Sequence, residues 1–402
     1  MTRRRRLGRG QLLGAVLAFT LIGCSSAGPS AEPSSPTSAP PSAAASAPPE
    51  TSSAPSCAET VLAGMTEAQR VGQLFLVGLK DDAVTPTVSD AIRTDHLGSF
   101  WYTRTTVGVA ALKAVSDQLQ ALATTESTAR VAFFIAANQE GGLIQGLSGP
   151  GFATIPSALV QGSWSTTDLQ SRAGTWGDQL VGAGLNVNFA PVSDIVPPGT
   201  DSQNAPIGQL RREYGHNPDI VSSHVAAFIA GMQQAGIGTV AKHFPGLGRV
   251  EGNTDFTASV VDDVTTVDDP FLDPFISAIG SGAEFVMISL ATYTRIDPAN
   301  IAAFSPAIMR DLLRGTLGFD GVIMSDTLSG AAVVDLAPGV RAIRFLEAGG
   351  DMIVLNPLAT AITMARAVVA RTASNATFRA RVDDAALRIL EAKDAAGLLP
   401  CG

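Results

Sequence analysis

Eight short apolar runs recur along the chain, each bounded by Gly, Pro or polar residues: 73–79, 98–102, 131–137, 187–190, 238–241, 285–288, 321–324 and 352–355. Runs so short and so continuously apolar read as strands buried on both faces, as in a parallel sheet. Segments of helical period lie between them, at 107–123, 169–183, 220–235, 271–282, 306–317 and 339–348. Strands alternating with helices predict an α/β fold, and eight is the strand number that closes a (β/α)8 TIM barrel. The expected domain is one barrel over residues 57–402 with enlarged βα loops. A doubly wound open sheet is the alternative that periodicity alone leaves open.

Residues 1–56 belong to another class of sequence. Arg3 to Arg6 form a basic n-region, 12–22 an apolar h-region, and Leu21-Ile22-Gly23-Cys24 resembles a bacterial lipobox. The expectation is a lipoprotein signal peptide over 1–23, cleavage before Cys24, and a lipid anchor on that cysteine that tethers the protein outside the cell membrane. Residues 24–56 are Ser, Pro and Ala-rich without apolar period and read as a disordered linker. Removing 1–23 removes five Arg and no acid, which takes the net charge from −9 to −14. Nucleic acid is excluded as a partner on that ground. Of the three cysteines, Cys57 and Cys401 bracket the expected barrel, and in an oxidising compartment they are expected to pair as a disulfide.

The chemistry collects at strand ends. Lys242-His243-Phe244-Pro245-Gly246-Leu247-Gly248 follows the fifth run, and Ser325-Asp326 ends the seventh. In a barrel both would open onto the rim that carries active sites. Glu140-Gly141-Gly142 follows the third run, Val192-Ser193-Asp194 the fourth, and Arg212-Glu213-Tyr214-Gly215 lies in the long loop after it. The chain has no Walker-type phosphate loop, no dinucleotide fingerprint between strand and helix, and no His pair at metal spacing, so neither a nucleotide cofactor nor a metal is expected.

These motifs together resemble glycoside hydrolase family 3, of the single-domain bacterial β-N-acetylglucosaminidase (β-hexosaminidase) type. The carriers are Gln139-Glu140-Gly141-Gly142, Asn188-Phe189-Ala190-Pro191-Val192, Arg212-Glu213-Tyr214-Gly215, Lys242-His243-Phe244-Pro245-Gly246, Phe304-Ser305-Pro306 and Ser325-Asp326. The resemblance implies a (β/α)8 barrel and a retaining exo-glycosidase that needs no cofactor. Its substrate would be terminal β-linked N-acetylglucosamine on peptidoglycan-derived fragments. It makes Asp326 the nucleophile, gives Arg212, Lys242, His243, Asn138 and Glu140 to the sugar, and brings a general acid/base from the loop after Gly248.

That loop departs from the family pattern. Leu247 replaces a His, and Asn253-Thr254-Asp255 stands where relatives carry an Asp-Ser-His triplet with an Asp–His dyad. Asp255 is then the first candidate for the acid/base and Glu251 the second, since a carboxylic acid in a partly dry pocket can serve directly. Asn138 stands where Asp is usual, Leu143 where Arg is common, and Leu290 where a His is expected. These changes keep a second expectation open: a catalytically weakened or inactive barrel that binds cell-wall glycan.

Overall fold

The computed structural model describes residues 54–80 and 83–401. The leader over 1–23, the anchor at Cys24 and all but the last three residues of the linker over 24–56 lie outside the described residues. Among those described, no helix is long and apolar enough to cross a membrane.

Eight parallel strands form the centre: β1 (Phe75–Leu79), β2 (Ser99–Tyr102), β3 (Phe134–Ala137), β4 (Val187–Asn188), β5 (Gly238–Phe244), β6 (Phe285–Ile288), β7 (Val322–Ser325) and β8 (Ile353–Leu355). Each pairs with its neighbours in chain order, and β1 also pairs with β8 through Phe75–Ile353, Leu76–Val354 and Val77–Leu355. A parallel bridge between Met324 and Met352 joins β7 to the start of β8 and completes the ring. The sheet is therefore a closed (β/α)8 barrel, and the open-sheet alternative is removed.

Side chains of these strands are buried almost without exception, which is why the runs lack the polar alternation of a half-exposed sheet. The surrounding helices begin where the sequence supplies an N-cap. Ser165 accepts from the Asp168 N–H at the head of Thr166–Gly182, and Asn217 accepts from the Ile220 N–H at the head of Pro218–Gln234, where Pro218 occupies the first turn.

Four boundaries differ from expectation by two residues or more. Gln73 ends the helix Glu67–Gln73, fixed by a capping box between Thr66 and Gln69, so β1 starts at Phe75. Residues 131–133 precede β3 and do not pair. The fourth strand stops at Asn188, short of Pro191, which has no N–H to give a ladder. The fifth runs on to Phe244, so Lys242 and His243 lie inside the strand and not beyond it.

The two ends of the described chain meet. A disulfide joins Cys57 to Cys401 with their Cα atoms 6.1 Å apart. Helix Cys57–Gly64 packs there through Ala58 and Val61 against Leu390 of the long C-terminal helix Ala376–Ala395. The same helix carries Lys393, which is fully buried and donates at 2.8 Å to each of Gln73 Oε1, the Gly98 carbonyl and the Ala132 carbonyl. Its three N–H bonds meet three acceptors just before β1, β2 and β3.

Candidate active site

Backbone spacing decides which side chains reach the C-terminal rim. Along a regular strand successive residues face opposite ways. In β5 the ladder to β6 pairs Lys242 with Met287 and Phe244 with Ile288, so one extra residue is inserted at His243. That bulge lets Lys242 and His243, adjacent in sequence, line one cavity. The cavity has a volume of about 470 Å³. Small-molecule sites typically fall at about 300–1,000 Å³.

One wall is an ion network. Glu140, 4% exposed, takes a two-pronged contact from Arg212, with Nε to Oε2 and Nη2 to Oε1 both at 2.9 Å. Lys242 Nζ approaches Glu140 Oε1 at 2.6 Å and donates to Asn138 Oδ1 at 2.8 Å. Burial by itself would raise the Glu140 carboxyl, but the charges of Arg212 and Lys242 and the hydrogen bonds from both outweigh it and hold it at about 2. Burial pulls Lys242 below its ordinary value against the attraction of Glu140, so Arg212 is the firmer of the two partners. Glu140 does not line the cavity; it lies behind Arg212 and Lys242, which do. Its place is to orient the two cations and not to touch a ligand itself.

His243 is oriented by Asp194, a carboxylate with no exposure at all. Asp194 Oδ2 lies 2.8 Å from His243 Nδ1, and Oδ1 accepts from the His243 and Leu247 N–H groups at 3.2 and 2.7 Å. Arg212 Nη2 sits 3.3 Å from His243 Nε2. A guanidinium can only donate, so Nε2 accepts and Nδ1 gives its proton to Asp194. Gly248 is required in this arrangement because a Cβ there would lie 1.8 Å from the Ile195 carbonyl oxygen. Its absence lets the loop backbone close onto Asp194.

Facing this wall are Asp326 at the end of β7 and Asp255 at the mouth. Asp326 Oδ1 accepts from the Thr327 N–H at 2.7 Å. Asp255 is open to solvent on one side and meets the cavity on the other. Desolvation by the surrounding walls, followed by repulsion from Asp326, raises its carboxyl to about 6. Asn253 shapes the turn that presents it: Asn253 Oδ1 accepts from the Asp255 N–H at 2.9 Å, and its carbonyl accepts from the N–H groups of Phe256 and Thr257. The turn is tied to the loop after β7, where the N–H groups of Ala331 and Ala332 donate to the Asp255 and Thr254 carbonyls, both at 3.2 Å.

Thus Asn138, Arg212, Lys242, His243, Asp255 and Asp326 line one cavity, with Glu140 behind them. Glu251 does not join them. It is exposed, and it borders a separate depression with Pro197, Thr200 and Gln203. The turn at Asn253 separates the two acids of this loop. Of the other departures, Leu143 is 66% exposed and off the cavity and Leu290 is fully buried behind it, whereas Asn138 lines the cavity, as does Leu247 of the altered loop. Asp194 and Asn253 were not among the expected site residues. The signal for Asp194 was its place two residues beyond Val192 on a strand-end motif, and for Asn253 the Asx-turn tendency of its side chain.

Comparison with known proteins agrees with this fold. A crystal structure of β-N-acetylhexosaminidase from Beutenbergia cavernae superposes with a TM-score of 0.81 and 48% sequence identity, covering 82% of this chain and 99% of that one. A β-hexosaminidase of Methylococcus capsulatus is 34% identical over 275 residues, 65% of this chain and 78% of its own length. One from Stenotrophomonas maltophilia is 32% identical over 234 residues, 55% of this chain and 66% of its own. The glycosyl hydrolase family 3 N-terminal domain matches residues 66–392, nearly the whole barrel, and the chain belongs to that family.

Proposed function

We propose that the protein is a retaining exo-glycosidase that hydrolyses terminal β-linked N-acetylglucosamine from peptidoglycan-derived fragments at the cell envelope. The observation that carries this reading is the opposition of two carboxylates across one cavity, Asp326 in no ion pair among the described residues and Asp255 raised to about 6. Retention needs one carboxyl group to attack the anomeric carbon and a second to protonate the leaving oxygen. Asp326 takes the first role. Asp255 takes the second: it gives its proton to the departing oxygen, then accepts one from the water that releases the sugar. Arg212, Lys242, His243 and Asn138 hold the hydroxyls of the sugar ring. With Asn138 Oδ1 engaged by Lys242, its amide N–H groups remain to donate into the cavity.

The names of the Beutenbergia and Methylococcus proteins support the amino sugar as substrate. The leader that ends before Cys24 and the Ser/Pro/Ala-rich stretch after that residue support a lipid-anchored location outside the membrane, where wall fragments are the glycan at hand. The test is release of 4-nitrophenol from its β-N-acetylglucosaminide, with Asp326→Asn alongside. Turnover lost in that variant supports the reading. No turnover by the parent, with N-acetylglucosamine still bound in calorimetry, would replace it with a glycan-binding barrel.

A further inference from the structure

Asp201, Glu213 and His216 converge in the long loop after β4, outside the cavity, with Glu213 next in sequence to Arg212. One ligand atom from each lies within 4.8 Å of the others. His216 Nδ1 is 3.1 Å from the Val196 carbonyl oxygen. A carbonyl can only accept, so Nδ1 carries a proton, and Nε2 faces Asp201 Oδ1 3.7 Å away. Glu213 is 0% exposed, yet neither of its carboxylate oxygens meets a donor, and Asp201 Oδ1 meets none either. Three groups able to ligate a cation therefore converge. Buried carboxylates left this way are unstable unless a cation or a proton stands between them.

We propose that Asp201, Glu213 and His216 form a site for a divalent cation of the zinc type. One imidazole nitrogen with two carboxylates is a donor set that suits such an ion, and a ligating His whose other nitrogen donates to a backbone carbonyl is the usual outer-shell arrangement. Zinc–donor bonds of about 2.0–2.2 Å place tetrahedral donors a little over about 3 Å apart, so the His216–Asp201 separation needs only slight contraction. The side chains of His216 and Asp201 are 33% and 37% exposed, which gives the ion an entry path and room for a water as fourth ligand. The ion would pin both ends of segment 201–216 and so fix the loop that presents Arg212 to Glu140. This is a positioning site and takes no part in bond cleavage.

The test counts metal and does not depend on sugar turnover. Purified protein is stripped with a chelator, titrated with zinc chloride by calorimetry, and its bound zinc measured by atomic emission after gel filtration. The parent should take up one zinc per chain and unfold at a higher temperature when loaded. Glu213→Gln, and independently His216→Gln at the more exposed position, should each weaken binding by at least about a hundredfold while circular dichroism stays that of the parent. Absence of zinc uptake by the parent overturns the proposal. So does uptake unchanged in both variants, which would place the ion elsewhere. A parent that ignores zinc but is stabilised near neutral pH by Glu213→Gln would show that Asp201 and Glu213 share a proton instead.

Discussion

Removing the carboxyl group of Asp255 separates protonation of the leaving group from every other part of the reaction. With its carboxyl raised to about 6, Asp255 is about nine-tenths protonated at pH 5 and about one-tenth at pH 7. A general acid works only while it holds its proton, so kcat/KM should fall about tenfold over that interval, with the loss on the alkaline side. The limb is expected on substrates with poor leaving groups, such as disaccharides. In Asp255→Ala such substrates should lose about 10²–10⁴ in rate and the limb should flatten. The 4-nitrophenyl glycoside departs without a proton and should lose far less in its glycosylation step. The assay is kcat/KM from pH 4.5 to 8 for both substrate classes in parent and variant. An alkaline limb near pH 6 that survives in Asp255→Ala, with equal losses on both classes, would refute the assignment and leave Asp255 the role of ordering the loop. A carbon-13 titration adds a check: in Asp326→Asn the Asp255 carboxyl should titrate below about 6, since the Asp326 charge is the second cause of its elevation.

Three further outcomes are expected. Glu140→Gln strands Arg212 and Lys242 as buried cations and should cost about 3–5 kcal/mol in urea unfolding, together with most of the sugar affinity. In the parent, the Glu140 carboxyl falls from its ordinary 4.5 to about 2 on folding, so its stabilisation is complete above about pH 4.5 and lost as pH drops through about 2, which acid unfolding of the two proteins should show. Asp351→Ala removes the fully buried partner of Arg314 and Arg381, each at 2.6 Å, and should destabilise by about 3–5 kcal/mol while KM stays unchanged, because this cluster lies away from the cavity. Cys57→Ser should lower stability by up to about 4–5 kcal/mol, and dithiothreitol should bring the parent to the same level without moving the variant.

The barrel was legible because its strands are buried on both sides, which writes them into the chain as uninterrupted apolar runs. Where reading failed, the cause was an interaction that local pattern does not hold. Gln73 continues the apolar stretch of β1 but belongs to a helix, because Thr66 and Gln69 cap each other seven and four residues earlier. The bulge at His243 depends on how β5 and β6 pair, so the sequence placed Lys242 and His243 past the strand when they lie within it. Glu251 and Asp255 are acids of one loop, four residues apart, and no composition argument separates them; the hydrogen bonds of Asn253 do. Glu140 was expected at the sugar, but its affinity for two cations draws it behind them.

Lys393 bears on the order in which the chain can become a barrel. Its three acceptors lie 320, 295 and 261 residues earlier, at Gln73, Gly98 and Ala132. Until the C-terminal helix docks, Gln73 Oε1 and the Ala132 carbonyl have only water to bond, and the Gly98 carbonyl keeps only the Ser99 hydroxyl. Contacts of such separation form late, because the intervening chain must already be gathered before they stabilise anything. Early strands can associate as the chain emerges, yet the floor beneath them stays wet and the ring remains open to exchange. A chain shortened before residue 393 is thus expected to fail at its oldest end, in amide exchange at β1 to β3, and not at the cut.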